Sequence, residues 1–278
     1  MPELPDLVVI EERLTPELIG RKISAIEILD PIVIRNLTGS SIEDGFIGTS
    51  FQGLYRNGPF LNFDLGDKNV IIHPMLAGRF SLEPNYKKKD LCVRFRMEGS
   101  VLNYSDDVRM GKVYFSLPNQ FAQIPKYSEQ GVDLLSEQFT EEEFLRRIDK
   151  SRQQTRVFLM DQSKLSVLGN AYSDEILFDA KIHPKTPCHR LSSEDKHRLY
   201  GSIRKVLADS IDYIRKKKAP LDFKVRDHVK VRNRKNEPCP NCGTKIRRAN
   251  VLGHDSFFCP VCQPMAGEQF IDWNRLQP

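Results

Sequence analysis

EPCPNCG (Glu237–Gly243) and FFCPVCQ (Phe257–Gln263) together read C-x2-C, sixteen residues, C-x2-C. This is the spacing of a zinc ribbon, in which each pair grips one side of a tetrahedral ion and the residues between form a hairpin. The ligand set is Cys239, Cys242, Cys259 and Cys262. Four thiolates leave no open position on the metal, so one structural zinc ion is expected. Cys92 and Cys188 stand alone and read as buried free thiols. No apolar run approaches the ~18 residues of a membrane span, and the start lacks the basic-then-apolar pattern of a secretory signal. A reducing, cytoplasmic setting follows as the expectation, with metal rather than disulfides between the paired cysteines.

Upstream of the cysteines the charge is uneven. The whole chain of 278 residues carries a formal +5, yet Gly201–Asn250 holds 15 Lys and Arg against 5 Asp and Glu. The span is therefore +10 and the remainder −5. A solvated helix face accounts for Lys216–Lys218, but the whole span points to a polyanionic partner.

At the other end the chain opens MPELPD (Met1–Asp6). With Met1 removed, the first residue is a secondary amine, Pro2, next to a carboxylate, Glu3. An α-amino group titrates near ~8, so part of it is neutral and nucleophilic at physiological pH. Such an amine attacks an aldehyde to form a Schiff base.

Between the ends the texture changes once. Ile10–Leu18 fits a short helix that Gly20 stops. From Lys22 to Leu117 short alternating runs separated by turn residues read as strands: Ile23–Leu29, Phe60–Leu65, Val70–His73, Cys92–Arg96 and Val113–Ser116. Strands at this spacing indicate a sandwich or barrel. Asn119–Phe139 reads as a linker. Thr140–Glu143 is a capping-box start, followed by helices over Arg156–Gln162, Asp174–Lys181 and Ser193–Lys216. The turn Leu168–Glu175 has two readings. It can present amides to a phosphate at a helix N-terminus, or be a helix stop and a new cap; the motif alone favours the second.

Taken together, MPELPD, LMDQ…LGNAYSDE (Leu159–Gln162, Leu168–Glu175) and EPCPNCG…FFCPVCQ resemble the formamidopyrimidine-DNA glycosylase and endonuclease VIII family. The resemblance runs through nearly the whole chain. It implies an α+β protein: an N-terminal β-sandwich over residues 1–130, a helical domain with a helix–two-turn–helix module over 131–235, and a zinc finger over 236–264. Residues 265–278 form an extension of unread role. It also implies a monomer that binds double-stranded DNA between its halves, at the nucleoid. Pro2 is then the nucleophile at C1′ of a damaged nucleotide, and the Schiff base undergoes β- and δ-elimination. Reaching a base inside duplex DNA requires flipping it out of the stack.

Residue by residue, the resemblance makes Glu3 the general acid/base and places Asp6 where glutamate is usual, one methylene shorter. His73 resembles a DNA-backbone contact, Asn170 a phosphate-binding asparagine, and Glu175 a structural carboxylate. Arg156 lies near a phosphate-binding lysine. Leu76, Val108 and Met110, with Arg109 between the last two, stand where Met, Arg and Phe usually fill the gap left by the flipped base. They can wedge into the stack without reading the orphaned base. Pro59 occupies the position of a hairpin lysine, leaving Arg56 to substitute, and His254 that of the finger arginine. Residues Tyr213–Val231 are several short of the loop that covers the flipped base in 8-oxoguanine enzymes. These departures keep a second expectation open, a lesion- or junction-binding paralogue with little catalysis. A third, a zinc-ribbon protein for transcription or RNA work, leaves MPELPD unexplained.

Overall fold

The computed structural model describes residues 2–87 and 89–265; the extension expected beyond Met265 and the state of Met1 lie outside the described residues. Two compact units emerge. The first comprises 1–131 and 209–226, the second 132–208 and 227–278.

The first unit starts with helix α1 (Leu4–Leu18), which begins six residues before the Ile10 expected. The reason is local. Pro5 falls in the first turn, where a missing N–H is harmless, and the Asp6 carboxylate accepts the Glu3 N–H at 2.8 Å. Leu4, Leu7, Leu14 and Leu18 then form a stripe with no exposed surface.

Two sheets follow. One has four antiparallel strands in the order β1 (Ile23–Ile28), β7 (Leu91–Met97), β8 (Ser100–Ser105), β6 (Arg79–Ser81). The other runs β2 (Ile34–Asn36), β9 (Lys112–Ser116), β5 (Asn69–His73), β4 (Phe60–Asp64), β3 (Gly53–Asn57), and only its β2–β9 pair is parallel. A five-residue helix, α2 (Ile42–Phe46), packs Phe46 edge-on against Phe115 at 4.9 Å. The two sheets form a sandwich whose rings meet across the layers: Phe63 of β4 with Phe80 of β6 at 6.4 Å, and Phe95 of β7 with Phe115 of β9 at 6.3 Å. Each such ring contributes about 1.5–3 kcal/mol when fully buried.

The stretch expected as a linker has structure of its own. Pro118–Gln123 is a 3-10 turn, and Ile124 and Tyr127 pack with Phe60, Ile71 and Tyr114. An exposed linker would not bury these groups. The segment 209–226 returns to the same unit: Ile211, Ile214 and Val225 share a cluster with Val9 of α1.

The second unit holds β10 (Val132–Asp133), α3 (Glu141–Asp149), α4 (Thr155–Met160), β11 (Leu165–Ser166), α5 (Asn170–Asp179), and α6 (Ser193–Lys217), whose last residues belong to the first unit. The hairpin β12 (Arg247–Val251) and β13 (His254–Phe258) completes it. Thr140 caps α3, its hydroxyl accepting the Glu143 N–H at 3.2 Å, but the expected capping box is only half formed: the Glu143 carboxylate turns to Arg146 and Arg147, and the Thr140 N–H goes to the Gln138 carbonyl. Helix α5 starts at Asn170, four residues before the expected Asp174. Among the described residues no helix is long and apolar enough to cross a membrane.

One tight spot in the sandwich lies beside the loop that follows β8. Tyr104 has no exposed surface and its hydroxyl has no hydrogen-bond partner among the described residues, while a Cβ built on Gly111 would lie 1.9 Å from that oxygen. Gly111→Ala is therefore expected to cost about 1–3 kcal/mol, the range for overpacking. Thermal denaturation reads the loss, and adding Tyr104→Phe, which deletes the colliding oxygen, should recover much of it.

Candidate active site and nucleic-acid interface

In the first unit, the N-terminal residues meet in one buried corner. Pro2 is buried, Glu3 is 5% and Asp6 7% exposed, and Pro2 and Asp6 line a pocket with Ile10, Gly78 and Arg79. Asp6 does two things at once. It accepts the Glu3 N–H at the helix start, and Arg226 grips it bidentately at 2.8 and 2.5 Å. A planar guanidinium on a carboxylate fixes both groups in angle as well as distance. The shorter Asp6 arm is thus met by an arginine 220 positions away. Nothing in the sequence singled out Arg226 from the basic span around it.

Two loops carry the residues expected to enter DNA from this unit. In the first, His73 ends β5 with its ring edge-on to Phe60 at 4.6 Å, and its Nδ1 accepts the Met75 N–H at 3.1 Å. Burial, reinforced by the Lys126 charge, pushes the His73 imidazole down to about 4 from its ordinary 6.5. A neutral ring accepting at Nδ1 carries its proton on Nε2, so His73 offers a donor without a charge. Met75 adopts a left-handed φ of 46°, and Leu76 follows half exposed at 50%.

The second loop follows β8. Asp106 holds it from below, accepting the Val108 N–H at 3.0 Å and the Gly111 N–H at 2.6 Å. Arg109 at its tip has φ 58° and pairs with Asp30 at 2.5 Å, so its charge is committed within the protein. Val108 and Met110 flank it, 51% and 41% exposed. Left-handed backbone costs a side-chain-bearing residue about 1–2 kcal/mol. Here it occurs at both tips, where apolar side chains face solvent.

The β3–β4 turn carries Gly58 and Pro59, and Arg56 bends back to its own turn, Nη1 donating to the Gly58 carbonyl at 3.5 Å.

In the second unit, Asn170 is the first residue of α5, after Gly169 in extended backbone. Arg156 is 1% exposed. Its Nε donates to Asp174 at 2.9 Å and its Nη2 to Asn170 Oδ1 at 2.7 Å and the Asp255 carbonyl at 3.0 Å. These N–H groups organise the protein interior, and they turn the Asn170 amide so that its Nδ2 is free of this contact. Arg156 and the exposed His254 nonetheless line one pocket with Gln153, Asp161 and Leu252. Asp174, which the sequence marks only as a helix start, is a functional position that sequence reasoning missed. It has no exposed surface and accepts from Arg156, Arg232, Ser256 and the Phe257 N–H. Glu175 beside it accepts the N–H groups of Lys230, Val231 and Arg232.

The four cysteine sulfurs lie within 4.8 Å of one another. Three of the separations are 3.5, 3.5 and 3.8 Å. A tetrahedron of thiolates about 2.3 Å from zinc has edges near 3.8 Å, so the cluster fits one structural zinc ion. Its packing supports that role: Cys239 and Cys259 share a buried cluster with Ile246, Phe257, Val231 and Phe178 of α5.

Comparison with known proteins agrees with this anatomy. The formamidopyrimidine-DNA glycosylase N-terminal domain matches residues 1–113, the formamidopyrimidine-DNA glycosylase H2TH domain 130–219, and the zinc finger found in FPG and IleRS 236–264. Formamidopyrimidine-DNA glycosylase of Symbiobacterium thermophilum is 30% identical over 100% of this chain and 94% of its own. That of Thermus thermophilus is 31% identical over 95% and 98%. Among solved structures, a complex between Lactococcus lactis Fpg and DNA containing an abasic site superposes with a TM-score of 0.85 at 28% identity, covering 94% of this chain and 99% of that one. MutM (Fpg) of Thermus thermophilus gives 0.83 at 29%, covering 95% and 99%. The class is that of proteins joining a glycosylase-type β-sandwich to a helix–two-turn–helix domain and a zinc finger. The chain belongs to the formamidopyrimidine-DNA glycosylase family within the wider Fpg/Nei group.

Two measurements test this site. Metal analysis should find one zinc per chain, and chelation should unfold the finger hairpin, because in such modules binding energy is folding energy. For His73, an NMR titration should give a midpoint near 4. Since the unfolded chain takes up this proton from about 6.5 downward and the folded chain does not, stability should fall as pH drops from there toward 4. His73→Gln should flatten part of that slope.

Proposed function

We propose that the chain is a base-excision DNA glycosylase with AP lyase activity, acting on damaged or abasic double-stranded DNA. The observation that carries the reading is the shared corner of Pro2, Glu3 and Asp6 at the start of α1. The Lactococcus relative's complex with abasic-site DNA supports the choice of partner.

In this reading the Pro2 nitrogen, free once Met1 is removed, forms a bond to C1′. The glycosidic electron pair leaves with the base, which takes a proton, and Glu3 is the group adjacent to the amine that handles protons. Opening of the sugar ring at O4′ gives the iminium. Loss of a C2′ proton then expels the 3′ phosphate, a second elimination expels the 5′ phosphate, and water releases the sugar fragment to restore the amine. Asp6, held by Arg226, fixes the backbone at Glu3. Leu76, Val108 and Met110 fill the vacated stack, while Asn170, oriented by Arg156, and His73 and His254 contact phosphates. The lack of a cation at Pro59 favours a second reading, a paralogue that binds lesions without cutting. We place the protein at the nucleoid of the cytoplasm, as a monomer.

Borohydride trapping on abasic duplex decides between the readings. Chain beginning at Pro2 should give strand cleavage and a trapped covalent adduct, and chain carrying any N-terminal extension should give neither. Glu3→Gln should lose base excision by about 10²-fold or more while retaining some adduct, because the amine remains. Tight binding with neither cleavage nor adduct would install the second reading. Binding should also weaken steeply with salt, and Arg247→Ala should lower the log–log slope by about 0.9 for one lost phosphate contact.

A further inference from the structure

Among the described phenylalanines, Phe223 alone is exposed, at 64%. It lines the pocket that also contains Pro2 and Asp6. An aromatic ring left in solvent beside a reactive corner could mark a loose loop, but the segment that carries it is fastened on both sides. Before it, the Ala219 carbonyl accepts from Arg13, and the Asp222 carboxylate accepts from the Tyr86 hydroxyl at 3.3 Å. The Phe223 N–H itself closes a turn to the Pro220 carbonyl at 2.9 Å. After it, Lys224 donates to the Leu76 carbonyl at 3.0 Å, Val225 is 2% exposed in the cluster with Val9, and Arg226 holds Asp6. The backbone is thus anchored through the core, through the Leu76 loop and through the nucleophile's own helix, and the ring between these anchors is bare.

We infer that Phe223 is the stacking platform for the extruded base, and that the pocket selects planar bases by their π-face. This rests on the glycosylase reading of the Pro2 corner. A flipped base loses its stacking partners in the duplex, and an aromatic face inside the pocket replaces them. Every planar base has such a face, so recognition by stacking is broad, and it discriminates chiefly against saturated, puckered rings. The Lys224 tie to Leu76 makes the same segment sense the loop expected to fill the gap the base leaves. The substrate class assigned is therefore oxidised bases that keep a flat ring, such as 5-hydroxyuracil, ahead of ring-saturated ones such as thymine glycol.

The test compares Phe223→Ala, Phe223→Trp and Phe223→Leu on duplexes containing 5-hydroxyuracil, thymine glycol or an abasic site, each in chain beginning at Pro2. The measure is base excision divided by cleavage of abasic DNA by the same variant, which cancels changes common to both. Phe223→Ala should lower this ratio for 5-hydroxyuracil about tenfold and for thymine glycol much less. Phe223→Trp should restore it, and Phe223→Leu, apolar but without a π-face, should not. An unchanged ratio in Phe223→Ala, or equal rescue by Leu and Trp, overturns the inference. Failure of the wild type to cut abasic DNA sinks the glycosylase reading instead. In that event 2-aminopurine placed at the target position still reports stacking. Its fluorescence on binding should be quenched more by the wild type than by Phe223→Ala, and equal quenching overturns the platform.

Discussion

The second unit is organised around one carboxylate cut off from water. Asp174 brings its carboxylate into the interior and is matched there by two guanidiniums, a hydroxyl and a backbone N–H. Removing one partner from such a buried arrangement typically costs about 3–5 kcal/mol, because a bare charge is left behind. The partners come from α4, the 227–232 segment and β13, and Asp174 itself from α5, so a single point fixes where four pieces of chain stand. Glu175 adds a second tie by accepting three successive N–H groups from residues 230–232. Burial holds its carboxyl above the ordinary range, and those three N–H groups offset only part of that rise. The finger is thereby joined to the helix that begins at Asn170 through hydrogen bonds as well as through the apolar cluster around Phe178 and Cys259.

The first unit solves a different problem, which is to hold short polar and apolar groups at a surface without letting them collapse inward. Asp106 and the His73 Nδ1 act as local braces, each accepting N–H groups from the loop that follows it. Backbone held this way tolerates left-handed residues at its tips, and strain of this kind is characteristic of sites rather than scaffolds. The corner containing Pro2 is braced from both sides, by the core stripe of α1 and by Arg226.

How much of this could be read from the sequence depended on distance along the chain. The zinc cluster was legible because a tetrahedral ion constrains its ligands in two close pairs, and spacing records that directly. The sandwich was legible from alternation, although β2, β3, β6 and β8 went unread. These strands are short or rich in polar residues, and neighbouring strands rather than their own pattern define them. Helix α5 was expected to start at Asp174 from periodicity, with the acidic residues Asp174 and Glu175 as its first two positions. They lie instead in its second turn and face inward, where their partners were invisible. The Arg226–Asp6 pair joins positions 220 apart, and no local pattern encodes it. For the same reason Arg156 could be recognised as a cation near a phosphate-binding position, but not as one whose N–H groups are spent on Asp174 and Asn170.

The cysteine cluster has one more implication, which concerns redox chemistry. Cys242 lies 3.5 Å from both Cys259 and Cys262, only about 1.5 Å beyond a disulfide bond length. With the metal in place the lone pairs are engaged and the thiolates are shielded from oxidants. Once the ion is lost, the same closeness makes them efficient partners for disulfide exchange, and an oxidised pair can no longer serve as two ligands. The metal therefore guards the finger against its own geometry, and oxidation and zinc loss would each make the other harder to reverse.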